Sequence, residues 1–218
     1  MKNKLLLFDF DGTVIDNSEG IYNCINNALN IMGIEKLPEK TLRRFVGPSL
    51  FDSFCRYCEN DSERSELFVR LYRERYAPIG SLEVKLYPGI TELLKALSAD
   101  GYILAVCSGK PYDFVIKIAK HLGIFDLFSA YFCPGFASHS SDKSRLIDEA
   151  AEHFSAEKED ILMIGDTLFD IAAAKKAGVK SLGVLYGFSE PGELESAGAD
   201  FIAADVPEIY EIITGKEL

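Results

Sequence analysis

Two aspartates near the start of the sequence follow a run of four apolar residues. The run LLLF leads directly into Asp9, and Asp11 comes two positions later, just before a glycine. Carboxylates at this spacing repel each other, and removing either from water costs free energy unless a positive charge compensates it. The pattern therefore indicates that a cation lies beside these carboxylates in the folded protein.

Polar residues also follow several apolar runs farther along the sequence. Ser-Gly-Lys follows the run YILAVC, an aspartate follows ILMIG with another aspartate one helical turn later, and a lysine begins the helical stretch after a third run. Because ligands bind at the carboxyl ends of parallel strands, these residues are candidates for one site shared with the first two aspartates. The candidates are Ser108, Gly109, Lys110, Lys143, Asp166 and Asp170.

These residue types together favour phosphoryl-transfer chemistry. Several carboxylates at one edge of a sheet require a hard divalent cation, and Mg²⁺ prefers oxygen ligands from one or two carboxylates and a substrate phosphate. A hydroxyl group and lysines supply the hydrogen-bond donors and the positive charge that a phosphate needs. An aspartate can then act as a nucleophile and form an aspartyl-phosphate.

The segments between the candidate residues predict an α/β fold. From residue 86 onward, short apolar runs alternate with stretches of helical spacing, which is typical of a parallel sheet with helices on both faces. Residues 18–76 have helical spacing throughout. We therefore expect a Rossmann-like catalytic core of residues 1–16 and 83–218, and a small α-helical cap domain of residues 17–82 inserted after the first strand. The later predicted strands are 102–107, 130–133, 161–165, 181–185 and a short one near Phe201.

Composition argues against several classes of protein. The 218 residues carry a formal net charge of −11, and 48% of them are hydrophobic, as in a globular protein. A general nucleic-acid binder needs a basic face for the phosphates, so no nucleic-acid partner is expected for such an acidic chain, although the composition leaves one local basic patch open. No apolar run suits a signal peptide or a membrane span. The odd number of cysteines, five, indicates reduced thiols and a cytoplasmic location.

Four motifs resemble those of the haloacid dehalogenase superfamily and occur in the same order. They are D-F-D-G-T-V at 9–14, the serine at 108, the lysine at 143 and G-D-T-x-x-D at 165–170. The segments RRFVGPSLFDSF and LYPGI further resemble the phosphoglycolate-phosphatase-like branch, whose helical cap follows the first strand. The resemblance covers essentially the whole chain. It implies a magnesium-dependent phosphatase that acts on a small phosphorylated metabolite through an aspartyl-phosphate.

The resemblance also implies a role for each aspartate. Asp9 is the nucleophile and a magnesium ligand. Asp11 protonates the leaving alkoxide and then activates water, while its backbone carbonyl binds the metal. Asp166 completes the metal site, and Asp170 supports that site from behind or through water.

Phosphate-binding groups are implied around the metal in the same way. Ser108 and Lys143 hold the phosphoryl oxygens, and Thr13 can donate a hydrogen bond to the phosphate region. Gly109 and Lys110, in the same turn as the serine, are further candidate contacts to the phosphate or to the rest of the substrate.

Several alternatives remain open. Arg43 and Arg44 precede a segment that faces the substrate in the resembled family, although an exposed helix face explains both equally well.

A phosphosugar mutase, a pyrophosphatase or a nucleotidase could use the same core. Asp11 argues against a dehalogenase, which has no alkoxide to protonate, and the helical insertion argues against a signalling receiver domain. We expect a monomer or weak homodimer without a membrane partner.

Overall fold

The computed structural model describes residues 4–47, 49–135 and 142–218. These residues form two compact units. The first comprises the chain up to Asp16 together with Lys85–Leu218, and the second is Asn17–Val84.

The first unit is built on a six-stranded parallel sheet. The eight described strands in chain order are β1 (Leu5–Phe8), β2 (Ile15–Asp16), β3 (Lys85–Leu86), β4 (Ile103–Cys107), β5 (Ala130–Phe132), β6 (Ile161–Gly165), β7 (Lys180–Val184) and β8 (Phe201–Ala203). Strands β2 and β3 lie outside the six-stranded sheet. The order across the sheet is β5-β4-β1-β6-β7-β8, and every neighbouring pair is parallel. The predicted parallel α/β sheet is therefore confirmed.

Strand β1 lies inside the sheet because its residues are apolar on both faces. All four of its side chains are at most 1% exposed. Leu5 is in register with Ile103 of β4 on one side and with Ile161 of β6 on the other. A parallel strand covered on both faces appears in sequence as a continuous apolar run, which is why LLLF was readable as a strand. The residues that follow β1 consequently emerge between the ends of β4 and β6.

Ten α-helices are described. Four belong to the second unit: α1 (Ser18–Ile31), α2 (Glu39–Arg43), α3 (Leu50–Tyr57) and α4 (Ser62–Tyr76). Six belong to the first: α5 (Ile90–Ala99), α6 (Tyr112–His121), α7 (Lys143–Phe154), α8 (Leu168–Ala177), α9 (Glu193–Ala197) and α10 (Val206–Thr214). Short 3₁₀ helices occur at Gly80–Leu82, Phe125–Leu127 and Lys158–Asp160. Residues of α7 and α8, such as Ile147 and Ala174, pack against Leu5, Leu7 and Met163 of the sheet in one apolar core.

The second unit is held together by its own aromatic core. Phe54 of α3 stacks on Phe68 of α4 with ring centroids 4.8 Å apart, and Phe45 packs against the same Phe68 ring at 6.0 Å. Both Phe54 and Phe68 are fully buried. Within its described residues this unit contains helices and no strand, as its uninterrupted helical spacing indicated.

The structure contains a two-stranded antiparallel ribbon that the sequence did not predict. Strand β2 pairs with β3 in antiparallel orientation, with Ile15 opposite Leu86 and Asp16 opposite Lys85. The Lys85 ammonium lies 3.2 Å from the Asp16 carboxylate across this pair. Two residues are too few to show a period of two, so no local pattern could have identified either strand.

The described residues contain neither a membrane-spanning helix nor a disulfide bond. Among the described residues, no helix has the length and apolar character needed to cross a membrane. All five cysteines are free thiols, including the Cys55–Cys58 pair.

Candidate active site

Asp9 follows the end of β1 and has one carboxylate oxygen in an ion pair and one with no hydrogen-bond partner among the described residues. Its backbone N–H donates to the carbonyl of Ile164 at 2.8 Å, which continues the pairing with β6. Oδ2 lies 2.7 Å from Nζ of Lys143. Oδ1 is buried and accepts no hydrogen bond from any described residue. One oxygen is thus held in place, and the other remains for a ligand.

Lys143, the first residue of α7, lies between two carboxylates. Its ammonium pairs with Asp9 and with Asp170, and its side chain is only 10% exposed. Burial disfavours the charged form, but the two carboxylates outweigh it and hold the pKa of Lys143 above its usual value. The lysine is therefore a permanent buried cation at this edge of the sheet.

Asp170 lies in the first turn of α8 with both carboxylate oxygens occupied. Oδ1 pairs with Lys143, and Oδ2 accepts from the backbone N–H of Thr167 at 3.0 Å and from its hydroxyl at 2.7 Å. A Cβ at Gly165 would lie 2.3 Å from Cγ of Asp170, so only glycine leaves room for it there. This arrangement suits a residue that orients Lys143 and supports a metal site from behind.

Asp166 is completely buried after β6 and is held from two sides. Oδ1 accepts from the hydroxyl of Thr13 at 3.1 Å, and Oδ2 accepts from the backbone N–H of Phe188 at 2.8 Å. A Cβ at Gly12 would lie 2.1 Å from Oδ2, and one at Gly187 would lie 2.2 Å from Cβ of Asp166. The Thr13 hydroxyl, which the family resemblance placed near the phosphate, thus donates its hydrogen bond to Asp166 in this structure.

The segment Gly187–Phe188 is a part of the site that sequence-based reasoning missed. It follows β7, the strand next to β6, so it comes out at the same edge of the sheet. It contributes the backbone N–H of Phe188, which requires no particular residue type, and the absence of a side chain at Gly187. The one available signal was a glycine shortly after a predicted strand of a parallel sheet.

Ser108 and Lys110 occupy the turn after β4, on the other side of β1. Ser108 is 2% exposed, and its hydroxyl accepts from the backbone N–H of Lys110 at 3.3 Å. The Lys110 ammonium lies 2.8 Å from Oδ2 of Asp11. Gly109 stands between these residues in the same turn. The structure therefore brings the residues after β1, β4 and β6 to one edge of the sheet.

The two arginines singled out in the sequence belong to the second unit. Arg43 is the last residue of α2, and Arg44 is the residue that caps the helix. Each has an interaction partner in the structure. Their role toward a substrate stays a prediction.

The carboxylates of Asp9, Asp166 and Asp170 are crowded enough to perturb each other. One ligand atom from each lies within 4.8 Å of the others, and all three residues are buried. Burial, opposed by Lys143 but reinforced by Asp170, raises the pKa of Asp9 to about 6. Burial and the neighbouring carboxylates of Asp170 and Asp9 likewise raise the pKa of Asp166 well above its usual value. Negative charge thus exceeds the positive charge available at this cluster.

A divalent cation would fit this cluster. The donors are all oxygen atoms, which hard cations such as Mg²⁺ prefer. The buried Oδ1 atoms of Asp9 and Asp11 have no hydrogen-bond partner in the described part of the chain, which leaves acceptor atoms at the site. An added positive charge would also remove the repulsion that raises the two pKa values.

Comparison with known proteins identifies the family. Residues 6–184 match the model of the haloacid dehalogenase-like hydrolases. The chain belongs to this family. Its membership confirms the predicted superfamily and the prediction that the protein is a hydrolytic enzyme.

Relatives cover nearly the whole chain and have different names. A 5′-nucleotidase of Pseudomonas aeruginosa is 33% identical over 95% of this chain and 94% of its own. The pyrophosphatase PpaX of Listeria innocua is 30% identical over 97% of each chain. A crystal structure of a predicted phosphoglycolate phosphatase from Haemophilus somnus 129pt is 27% identical, with a TM-score of 0.85 over 98% of this chain and 99% of that one. The predicted likeness to the phosphoglycolate-phosphatase branch is confirmed.

Substitution of Gly12 tests the tight packing around Asp166. Gly12 has φ +79°, and an alanine Cβ there would lie 2.1 Å from the Asp166 carboxylate. Gly123 has φ +69° with open space around the same position, so Gly123→Ala carries only the backbone cost and serves as control. We expect Gly12→Ala to lower the free energy of unfolding by about 1–3 kcal/mol more than Gly123→Ala, as overpacking does. Urea denaturation measures both, and equal losses would contradict the packing argument.

Proposed function

We propose that the protein is a magnesium-dependent phosphatase that hydrolyses a small phosphomonoester through an aspartyl-phosphate on Asp9. The observation that carries the proposal is the Asp9 carboxylate, in which Lys143 holds Oδ2 while Oδ1 is buried without a partner among the described residues. A carboxylate fixed at one oxygen and unoccupied at the other suits in-line attack on phosphorus. Family membership supports the same chemistry.

Mg²⁺ would be held by the carboxylates of Asp9 and Asp166 and by the backbone carbonyl of Asp11. Asp170, whose two oxygens are occupied by Lys143 and Thr167, would support this site indirectly. The ion supplies positive charge for the phosphoryl oxygens. Thr13 and the Phe188 N–H fix the orientation of Asp166 and thereby of its part of the site.

The reaction proceeds in two steps in this proposal. Oδ1 of Asp9 attacks phosphorus, the bond between phosphorus and the ester oxygen breaks, and Asp11 gives its proton to the departing alkoxide. Water then attacks the aspartyl-phosphate, Asp11 takes up the proton of that water, and the bond between phosphorus and Asp9 breaks. Inorganic phosphate and the alcohol leave, and both aspartates return to their starting state.

The turn after β4 and the start of α7 would bind the phosphoryl group. The Ser108 hydroxyl and the adjacent backbone supply hydrogen-bond donors, and the Lys143 ammonium supplies buried charge. Because these groups are held by strand ends and a helix start, they need little reorganisation when charge develops on the phosphoryl oxygens.

The substrate class in this proposal is a small phosphorylated metabolite of the phosphoglycolate type. The relatives' names, 5′-nucleotidase and pyrophosphatase, make a nucleotide or pyrophosphate the second candidate. In either case the helical unit Asn17–Val84 would act as the cap, with Arg43 and Arg44 toward an anionic part of the substrate. Phosphate release over a panel of phosphomonoesters, nucleoside monophosphates and pyrophosphate distinguishes these candidates.

We further propose a cytoplasmic enzyme that acts as a monomer or weak homodimer. Five free thiols favour a reducing compartment. Sedimentation at micromolar concentration tests the oligomeric state.

Replacement of the nucleophile should abolish turnover. Asp9→Asn keeps the size of the side chain but cannot form an acyl phosphate, so we expect phosphate release to fall to background in a folded protein. Asp126→Asn, at an exposed position, is the control and should retain full activity. Turnover by Asp9→Asn near that of the parent protein would refute the proposed nucleophile.

Metal dependence should appear both in activity and in stability. We expect phosphate release to require Mg²⁺ and to stop in excess chelator, because the carboxylate cluster lacks sufficient positive charge. Mg²⁺ should raise the Tm of the parent protein but not of Asp166→Asn, which keeps the shape of the side chain. Full activity in chelator, or equal Tm shifts in both proteins, would contradict a metal site at Asp166.

Loss of the buried lysine should reduce catalysis strongly. We expect Lys143→Ala to lower kcat/KM about a hundredfold or more, as loss of a preorganised charge contact does. Lys95→Ala removes an exposed lysine of α5 and is the control. Circular dichroism checks that both variants are folded. A folded Lys143→Ala variant with kcat/KM within a few-fold of the control would show that another group holds the phosphoryl oxygens.

A further inference from the structure

A second buried lysine at the site pairs with a different aspartate from Lys143. The Nζ atom of Lys110 lies 2.8 Å from Oδ2 of Asp11, and the Lys110 side chain is only 7% exposed. An ammonium group so far removed from water requires a hydrogen-bond acceptor close by. Oδ2 of Asp11 supplies that acceptor, whereas the Lys143 ammonium contacts Asp9 and Asp170. The two lysines are thus divided between the two aspartates that follow β1.

The backbone beneath Lys110 is fixed to the end of β4. Its N–H donates to the Ser108 hydroxyl at 3.3 Å. Pro111 follows directly, and the next N–H, that of Tyr112, donates to the carbonyl of Pro134 at 2.9 Å where α6 begins. A lysine anchored in this way presents its ammonium from a defined point. It can therefore hold the carboxylate of Asp11 in one orientation.

The pairing makes the two oxygens of Asp11 unequal. Oδ2 accepts from the Lys110 ammonium, while Oδ1 is buried and accepts no hydrogen bond within the described residues. An ammonium has only donor protons, so it occupies the carboxyl oxygen that carries none. Oδ1 is therefore the oxygen of this carboxyl group that is left for another hydrogen-bond partner.

We propose that Lys110 is a positioning residue for Asp11, holding Oδ2 so that Oδ1 exchanges the proton with the leaving-group oxygen and later with water. The inference rests on the proposed phosphatase function and deepens it. It differs from a direct role in phosphate binding, since Lys110 then acts through Asp11 and makes no contact with the phosphoryl group. The proton follows the path described above, from Asp11 to the alkoxide and from water back to Asp11.

A lysine that positions Asp11 and a lysine that binds the phosphoryl group predict different dependences of the rate on the leaving group. An alkyl phosphate needs a proton on its departing oxygen, whereas the nitrophenolate of p-nitrophenyl phosphate leaves as an anion without one. We expect Lys110→Met to slow first-turnover release of the alcohol from an alkyl phosphate about 10- to 100-fold, below the full contribution of a general acid. Release of nitrophenolate should change less than threefold, and KM for both esters should stay within about threefold of the parent value.

Three comparisons make the assignment specific. Asp11→Asn should show the same selective loss on the alkyl ester. The double variant Asp11→Asn/Lys110→Met should be no slower than Asp11→Asn alone, because two residues that act as a unit are not additive. Lys110→Arg, which keeps the charge, should recover part of the rate. Lys95→Met, at an exposed position of α5, is the control for loss of a lysine and should match the parent protein.

The outcomes separate this inference from the function on which it rests. If the parent protein releases phosphate from neither ester with Mg²⁺, the proposed function fails. A second outcome is that the parent protein is active while Lys110→Met slows alcohol release from the alkyl ester and nitrophenolate release by the same factor, or changes only KM. In either case the lysine binds the phosphoryl group and the inference is overturned. Additive losses in the double variant would overturn it as well. Retained nitrophenolate release in Lys110→Met shows in the same experiment that the site is folded.

Discussion

Repulsion between buried carboxylates is the constraint on which the rest of this site depends. Asp9, Asp166 and Asp170 bring ligand atoms within 4.8 Å of one another at a place with almost no contact with water. Such a cluster is compatible with a stable fold only if other groups oppose its charge. Lys143 does so between Asp9 and Asp170, and hydrogen-bond donors from Thr13 and Phe188 do so at Asp166.

This compensation is incomplete in a way that is informative about function. Even beside Lys143, the pKa of Asp9 is raised to about 6, and that of Asp166 is raised well above its usual value. A cluster designed only for stability would have no reason to leave Oδ1 of Asp9 buried without a partner among the described residues. The excess negative charge and the unsatisfied acceptor both point toward a positively charged ligand and an electrophile. They are therefore the physical basis of the proposed phosphatase chemistry.

The strand order explains why these groups meet. Strand β1 lies between β4 and β6, so the two aspartates after β1 emerge between the turn that carries Ser108 and Lys110 and the end of β6 that carries Asp166. The close approach of these segments requires glycines: a Cβ at Gly12 or Gly187 would collide with Asp166. Residues far apart in sequence thus form one site because parallel strands place their carboxyl ends at the same edge.

The sequence by itself determined the parallel α/β sheet, the family and the list of aspartates, the serine and the lysines at the strand ends. It could do so because buried strands such as LLLF and ILMIG are readable as local apolar runs, and because residue types with specific chemistry follow them. Only the tertiary structure decided which groups pair. Lys110 pairs with Asp11 across 99 positions of the sequence, and Thr13 donates to Asp166 across 153. Phe188 contributes a backbone N–H, which cannot be recognised from the type of its side chain. The ribbon of β2 and β3 was likewise invisible, since two residues have no periodicity. Such contacts depend on packing between distant segments, which no local pattern in the chain records.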